Sequence, residues 1–259
     1  MFEMFNRMQI TDTIVSLPII YAIMANYNLG KILFLDIETV SAEPCFSNLD
    51  PYWQKLWEEK TRLQREADCT PEDFYPQRAG ILAEFGKIVC ISCGFFTQNG
   101  DQWQFRIKSF YSQNEKSLLA EFSAILDNYF KGYFLCAHNG KEFDFPYLGR
   151  RMLIQQIKLP EVLQISGLKP WEVLHLDTLE LWKFGDRKNY TSLKLLAALF
   201  NIPTPKDDID GSMVGHVFWE EKNLNRIVTY CEKDVVTLAK VFLAITQNRH
   251  IEPFEIIKA

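Results

Sequence analysis

The sequence has no hydrophobic stretch long enough to span a bilayer and no excess of basic residues. Its longest mainly apolar run, residues 14–25, is well short of the roughly 20 residues that a membrane-spanning helix needs. The 28 Lys and Arg residues are outnumbered by 33 Asp and Glu residues, so the formal net charge is −5. Proteins that attract a polyanion through overall charge are usually more basic than this. We therefore expect no membrane association, and any polyanion site has to be local, built from a few basic side chains or from bound metal ions.

A regular pattern of cysteines is also missing. The six cysteines, at positions 45, 69, 90, 93, 136 and 231, are irregularly spaced, which argues against a disulfide scaffold and favours a cytoplasmic protein. Cys90 and Cys93 form a single C-x-x-C sequence within a predicted strand, where positions three apart point to opposite faces. We therefore expect these two thiols to pack in the core rather than to share a metal or a redox role.

The chain is predicted to divide into three parts. Residues 1–30 are expected to be a short amphipathic or irregular extension, with a start of translation at Met24 as the alternative; its first residues carry acidic as well as basic side chains, which argues against a signal peptide. Residues 31–247 are predicted to form one domain, in which 44–80 is an inserted excursion. Residues 248–259 are predicted to be a C-terminal tail.

Strand and helix patterns alternate along the predicted domain. Short apolar runs predict strands, helical spacing of apolar residues predicts helices, and Asn99-Gly100 between two β-rich runs predicts a hairpin. The predicted strands are 31–37, 87–96, 102–111, 132–137 and 173–177, and the predicted helices are 51–67, 112–130, 145–157, 192–200 and 224–247. This order predicts an α/β fold with a mixed β-sheet flanked by α-helices.

Two acidic side chains come at the end of the first predicted strand. Asp36 and Glu38 are two residues apart, so both can point to the same face. Neighbouring carboxylates at the edge of an apolar core repel each other and lose hydration. A cation such as Mg²⁺ or Mn²⁺ between them relieves both costs. On this pair alone, solvated acids in a turn are an equally good interpretation.

Two further segments place acids beside apolar surfaces. Asp144 lies near the start of a predicted helix, where the helix dipole favours an anion. In the last long helix, Tyr230 and Asp234 are four residues apart and share a face. That face borders the apolar stripe, and the residues one turn away from Asp234 are Tyr230 and Leu238. Asp234 is therefore predicted to be a partly buried acid, which needs a partner.

Together these segments resemble the three motifs of the DEDD exonuclease superfamily, in its Tyr-containing (DEDDy) branch. The D-x-E motif is matched by Asp36 and Glu38, the N-x-x-x-F-D motif by residues 139–144, and the Y-x-x-x-D motif by Tyr230 and Asp234. The sequence is most similar to the proofreading 3′-5′ exonuclease domains of family B DNA polymerases, which have a similar F-D-x-P-Y-L stretch. The resemblance covers roughly residues 31–247. No polymerase domain follows in this sequence, so a stand-alone relative of the proofreading domain is expected.

The resemblance implies an RNase H-like fold and a site that holds two Mg²⁺ or Mn²⁺ ions. Asp36, Glu38 and Asp234 would hold one ion tightly, and Asp36 with Asp144 would help to position the second. Two such ions activate a water molecule and stabilise the leaving oxygen of a phosphodiester. Tyr230 would orient the attacking water rather than act as a full base, since an unperturbed tyrosine titrates near 10.

Substrate contacts are predicted less directly. Ile37 and Thr39 flank the first two acids and can offer apolar contact and backbone donors to a terminal base. Asn139 can bind the terminal nucleotide or fix a loop, and Phe143 can stack on a base or pack in the core. The basic side chains are either phosphate contacts or ordinary solvated charges; the main ones are Arg150, Arg151, Lys183, Arg187, Lys188 and Lys194.

Two polar residues near these motifs have alternative interpretations. His138 is expected to be structural rather than a substrate contact. Asp177, at the end of a predicted strand, either supports the acidic site from behind or caps the helix that follows it.

Three functions stay open at this point. The first is a 3′-5′ exonuclease that releases nucleoside monophosphates from DNA with a free 3′ end, expected to be single-stranded; the second is the same chemistry on RNA. No residue in the sequence can be identified as a contact to a 2′-hydroxyl, and the likeness to a DNA polymerase domain favours DNA. The third is an inactive nucleic-acid-binding module, and the presence of all four acids and the tyrosine argues against it.

Overall fold

A six-stranded mixed sheet forms the centre of the molecule. A computed structural model describes residues 28–169, 171–186, 190–204 and 209–258; residues 1–27 of the predicted extension, and Arg187 and Lys188, lie outside these ranges. The strands in chain order are β1 (Ile32–Ser41), β2 (Gly86–Asn99), β3 (Gln102–Tyr111), β4 (Phe134–Ala137), β5 (Leu176–Asp177) and β6 (Glu255–Lys258). Their order across the sheet is β5-β4-β1-β2-β3-β6.

Strand directions in this sheet follow the predicted RNase H-like arrangement. The strands β1, β2 and β3 form an antiparallel meander, whereas β4 and β5 pair in parallel on the other side of β1. Parallel strands need a crossover connection, and helices lie between β3 and β4 and between β4 and β5 along the chain. The fold class predicted from the sequence, a mixed sheet flanked by helices, is confirmed.

Helices cover both faces of the sheet. In the described part of the chain they are α1 (Pro51–Thr61), α2 (Pro71–Arg78), α3 (Glu115–Tyr129), α4 (Asp144–Ile154), α5 (Thr178–Lys183), α6 (Leu193–Leu199), α7 (Val214–Trp219) and α8 (Leu224–Ile245). The helices α3 and α4 pack on one face, and α8 packs on the other face, supported by α6 and α7. None of the helices in the described ranges combines the length and the apolar character needed to cross a membrane.

The two faces of β1 set the position of the acidic site. Leu33 and Leu35 lie in the core beneath α3 and α4, while Phe34 packs edge-on against Phe242 of α8, with ring centroids 5.3 Å apart. Because side chains alternate along a strand, Asp36 and Glu38 lie on the same face as Phe34. Both acids therefore face α8.

Strand β1 is longer than predicted, and β5 is shorter. The strand β1 continues to Ser41 because it stays paired with β2 through a register shift between Glu38 and Thr39. Asp36 and Glu38 consequently lie within the strand rather than at its end. The predicted strand 173–177 is reduced to Leu176 and Asp177, the two residues that pair with β4.

The excursion at residues 44–80 has a small core of its own. It contains α1 and α2, where a single helix was predicted, and Trp57 packs edge-on against both Tyr75 and Phe85 with ring centroids 5.1 Å apart. The indole of Trp57 also donates to the carbonyl of Pro71 at 2.8 Å. The hydroxyl of Tyr147 on α4 donates to the Gly80 carbonyl at 2.7 Å. This hydrogen bond ties the excursion to the main domain.

The C-terminal residues add to the sheet, which differs from the predicted tail. Ile251 is buried in the α8-side core, and Phe254 packs edge-on against Phe96 of β2 at 5.0 Å between ring centroids. Residues Glu255–Lys258 then pair in parallel with β3. These four residues do not alternate between apolar and polar side chains and are too few to predict a strand without the partner strand.

Candidate active site

Asp36 and Glu38 stand side by side on the central strand. They lie opposite Ser92 and Cys90 of β2, so the four side chains share the face that α8 covers. Glu38 is only 6% exposed, and Asp36 is half-buried. One carboxylate oxygen of each acid and the sulfur of Cys231 all lie within 4.8 Å of one another.

The electrostatic surroundings of these two acids are unfavourable for carboxylates. Burial raises the pKa of Asp36 well above its usual value, and the charges of Asp144 and Asp234 raise it further. Burial likewise raises the pKa of Glu38, followed by the charges of Asp36 and Asp234. Each charged neighbour that raises these pKa values is an acid or a thiol. A group of oxygen donors crowded in this way could hold a divalent cation, which would supply the missing positive charge.

Asp144 approaches β1 from the first turn of α4. Its side chain is 4% exposed, and burial raises its pKa to about 7. The backbone N–H groups of Ile37 and of Asp144 itself act in the opposite direction, because they donate to the carboxylate. The hydrogen bond from Ile37 joins the start of α4 to the centre of β1, and it places Asp144 within the electrostatic range of Asp36.

Asp234 and Tyr230 reach the same place from α8. The phenol of Tyr230 is hydrogen-bonded to Asp234, one helical turn further along. Burial raises the pKa of Tyr230 far above its ordinary value, and the charges of Asp234 and Glu38 raise it further. The raised pKa favours the neutral phenol of Tyr230, which can donate or accept a hydrogen bond.

Asp177 supports this site from behind. Its Oδ1 accepts from the N–H of Leu179 at 2.9 Å as the N-cap of α5, and also from the N–H of Asn139 at 2.9 Å. Its Oδ2 accepts from the N–H of Lys141 at 3.1 Å. Both interpretations of Asp177 are therefore correct, since one carboxylate caps the helix and holds the turn that leads into Asp144.

The residues predicted to touch substrate lie in different surroundings. The side chain of Ile37 is buried in the core beneath α4, so its backbone alone is directed to the acids. Thr39 is half-buried and hydrogen-bonded to Tyr147. Phe143 is also half-buried and packs on Tyr147 with ring centroids 5.3 Å apart. Asn139 has a left-handed φ of 61°, a conformation that Asn tolerates better than most residues, and its side chain is half-buried.

Other predicted residues have structural roles. The two ring nitrogens of His138 contact Thr178 Oγ1 at 2.9 Å and the carbonyl of Thr191 at 2.8 Å, as expected for a structural histidine. Arg151 is buried and fits neither of its two interpretations, a phosphate contact or a solvated charge. Its guanidinium is buried and donates to Glu115 at 2.8 Å and to the Ala83 carbonyl at 2.7 Å. Arg150 is exposed.

The cysteines contain one residue that the sequence interpretation missed. Cys90 and Cys93 are buried in cores on opposite faces of the sheet, as predicted. Cys231, however, lies beside the acids, with its sulfur 3.4 Å from Asp36 Oδ2. In an amphipathic helix a cysteine is normally interpreted as a small core residue. The one sequence feature that indicates this contact is that Cys231 lies between Tyr230 and Asp234.

The fold and this arrangement of acids define an RNase H-like α/β protein with a candidate metal-binding active site. The chain belongs to the family described as predicted 3′-5′ exonuclease related to the exonuclease domain of PolB, whose model matches residues 81–251. The matched region contains Asp144, Tyr230 and Asp234, and it begins after Asp36 and Glu38.

The structural neighbours of this chain include a DNA polymerase. It is the family B DNA polymerase from the hyperthermophilic archaeon Pyrobaculum calidifontis, which is 16% identical with a TM-score of 0.44. The similarity covers 82% of this chain and 24% of the polymerase, so the chain spans about a quarter of that protein. No curated protein matches the chain.

Proposed function

We propose that this protein is a metal-dependent 3′-5′ exonuclease that hydrolyses phosphodiester bonds from the 3′ end of DNA and releases nucleoside monophosphates. The observation that carries the proposal is that the carboxylates of Asp36, Glu38, Asp144 and Asp234 lie close enough to raise one another's pKa, although they come from three distant segments. Such a group of carboxylates costs stability unless cations are bound. Family membership supports the same chemistry, because the family is described as related to the exonuclease domain of PolB, and that relationship favours DNA over RNA.

The proposed site would hold two Mg²⁺ or Mn²⁺ ions. Asp36, Glu38 and Asp234 are the proposed ligands of one ion, and Asp36 with Asp144 of the other. When bound, two such ions activate a water and neutralise the charge that develops on the leaving oxygen. The N–H of Ile37 holds Asp144 toward β1, so this backbone contact fixes the distance between the two acids that serve the second ion.

Tyr230 is proposed to orient the attacking water. Its phenol is neutral because burial and the nearby acids raise its pKa. A neutral hydroxyl can accept or donate one directional hydrogen bond to a water molecule, which favours one approach to the phosphorus over others. Asn139 and Thr39 are the remaining polar candidates for contact with the terminal nucleotide, together with the backbone at Ile37.

A cytoplasmic location is part of the proposal. All six cysteines are free thiols, and Cys45 is exposed. Exposed thiols persist in reducing compartments and are uncommon in secreted proteins.

The deciding experiment compares matched single-stranded DNA and RNA oligonucleotides labelled at the 3′ end. We expect rapid release of the labelled mononucleotide from DNA with Mg²⁺ or Mn²⁺ and none with EDTA. Asp36→Asn should abolish release, whereas Glu59→Gln, which changes an exposed acid on α1, should leave it unchanged. Release from RNA but not from DNA would show that RNA is the substrate. Full turnover by Asp36→Asn would contradict the proposed metal site. A lack of turnover on both substrates would contradict the proposed activity.

A further inference from the structure

Besides the carboxylates and the phenol of Tyr230, the acidic site contains a thiol, which the proposed magnesium chemistry does not use. Cys231 is fully buried, and its sulfur lies 3.4 Å from both the carbonyl oxygen and the Oδ2 of Asp36. Magnesium is a hard cation that binds oxygen, whereas thiolates select softer metals. A magnesium ion would therefore leave this thiol as a hydrogen-bond donor to Asp36, whereas a softer metal could bind it.

The spacing of two of the donors, a sulfur and a carboxylate oxygen, matches that in a transition-metal site. Two ligands of a tetrahedral zinc ion, a sulfur at about 2.3 Å and an oxygen at about 2.0 Å from the metal, lie roughly 3.5 Å apart. The observed separation between Cys231 Sγ and Asp36 Oδ2 is 3.4 Å. One oxygen of Glu38 completes a group of three donors within 4.8 Å of one another. Three protein ligands with one open position are the usual arrangement for a zinc ion that also binds a water molecule.

Glu38 is a buried donor in this group whose charge has no compensating partner among the described residues. Its side chain is 6% exposed, and in the described part of the chain no hydrogen bond to its carboxylate is present. Its neighbours Asp36, Asp234 and Cys90 all oppose its charge. A buried carboxylate in this position needs a cation, and Glu38 points into the same group of donors as Cys231.

We propose that Asp36, Glu38 and Cys231 bind a thiophilic divalent cation such as Zn²⁺, which excludes Mg²⁺ from the pocket and stops hydrolysis. The inference rests on the proposed metal site and adds regulation to it. Binding replaces the S–H bond of Cys231 by a sulfur–metal bond, and the proton leaves to solvent. Zinc binds such a mixed site more tightly than manganese does, so low concentrations of zinc suffice against a large excess of magnesium.

A cadmium titration tests the thiol directly, without any measurement of activity. The starting protein is the full chain with Cys45→Ser and Cys69→Ser, which removes the two thiols that are not buried. We expect a cadmium–thiolate charge-transfer absorption that saturates at one ion per chain. Adding Cys231→Ala should abolish it, while Cys90→Ser, which changes the neighbouring thiol, should leave it in place. Persistence of the absorption in Cys231→Ala, or its lack in the starting protein, overturns the inference.

Zinc affinity and cadmium NMR provide second measurements. Competition with a chromophoric chelator should show zinc affinity at least about 10-fold weaker in Cys231→Ala, since even supporting residues around metal sites contribute 10-fold or more. An unchanged affinity contradicts the inference. If the alanine variant does not fold, the ¹¹³Cd resonance of the starting protein reports directly whether the bound ion has a sulfur ligand. Protein that shows the cadmium–thiolate signal but no nuclease activity with Mg²⁺ refutes the proposed function alone, and active protein without that signal refutes only the zinc site.

Discussion

The carboxylate of Asp177 binds the backbone N–H of Asn139 at 2.9 Å, and this contact joins the end of β5 to the turn that precedes Asp144. The same carboxylate caps α5 and accepts from the N–H of Lys141. A single buried acid therefore fixes the relative position of two chain segments. Its effect on the proposed chemistry would be indirect, through the placement of Asp144.

The first prediction is that Asp177→Asn lowers both stability and turnover. The amide has one acceptor oxygen, so its NH₂ group faces the Lys141 N–H and leaves that donor unsatisfied. Losing such a buried hydrogen bond costs about 1–3 kcal/mol in the free energy of unfolding, which urea denaturation measures. We also expect kcat to fall with little change in KM, because residues 139–143 lead directly into Asp144.

Asp210→Asn is the matched control for that substitution. The side chain of Asp210 also accepts a backbone N–H, from Ser212 at 2.9 Å, but it does so at an exposed position. We expect the free energy of unfolding of the Asp210→Asn variant to stay close to that of the unsubstituted protein. Equal losses in the free energy of unfolding in the two variants would mean that the buried position of Asp177 has no special role.

The acidic site was predictable because its residues have fixed spacing and order. Asp36 and Glu38 alternate with Ile37 on a strand, and Tyr230 and Asp234 are one helical turn apart, so local geometry alone places each pair on one face. The meeting of these pairs follows from the resemblance, which supplies the tertiary arrangement. Asp177 remained ambiguous because its partners, such as Asn139, lie 38 positions away.

The excursion and the C-terminal strand show what local patterns miss. Pro51–Thr61 was recognisable as a helix, but the second helix at Pro71–Arg78 contains Pro76, a residue that usually argues against a helix interior. The small core around Trp57 stabilises it nonetheless. Strand β6 has only four residues and exists because β3 offers an edge to pair with. Arg151 was misassigned because a charged residue is expected to be exposed unless its partner, here Glu115, is known.

The second prediction is that Asp36→Asn stabilises the protein in EDTA while it abolishes hydrolysis. The folded protein raises the pKa of Asp36 above its unfolded value, so the ionised carboxylate opposes folding at every pH above the unfolded pKa of about 4. Removing the charge should therefore raise the free energy of unfolding, which urea denaturation in EDTA measures.

Magnesium should reverse this order of stability. A ligand at 100 times its Kd stabilises the folded state by about 2.7 kcal/mol, so Mg²⁺ should raise the Tm of the unsubstituted protein and have little effect on Asp36→Asn. Thermal melts with EDTA and with Mg²⁺ measure both effects, and Glu59→Gln serves as the control for an exposed acid. The hypothesis of a metal site fails if Mg²⁺ raises the Tm of Asp36→Asn as much as that of the unsubstituted protein.

The third prediction is that Tyr230→Phe slows hydrolysis and leaves cation binding intact. The substitution removes a hydroxyl that is hydrogen-bonded to Asp234 but keeps the ring that packs beside the acids. We expect kcat to fall by about 10²-fold, the lower end of the range for groups that handle the attacking water. The Mn²⁺ affinity, measured by calorimetry, should stay within about twofold of the original, because the four carboxylates are unchanged. Unchanged kcat would remove Tyr230 from the mechanism, and lost Mn²⁺ binding would make it a structural support instead.

The fourth prediction concerns acid sensitivity through His175, a buried residue just before β5. Burial lowers the pKa of His175 to about 4, and both ring nitrogens are used in the neutral form. Nδ1 accepts from the N–H of Leu135 at 3.2 Å, and Nε2 lies 2.7 Å from the Val162 carbonyl, to which it donates. Protonation at Nδ1 would replace the acceptor by a second donor facing the Leu135 N–H.

The unfolded chain therefore takes up a proton at His175 between pH 6.5 and about 4, while the folded protein does not. Stability is retained above pH 6.5 and falls as the pH drops through this window, by up to about 3 kcal/mol from this residue. His175→Gln removes the titrating group, so the slope of unfolding free energy against pH should flatten even though the variant is less stable overall. His216→Gln changes an exposed histidine and should keep the original slope. Parallel slopes for His175→Gln and the unsubstituted protein would show that acid sensitivity arises from other groups, with the buried carboxylates near Asp144 the next to test.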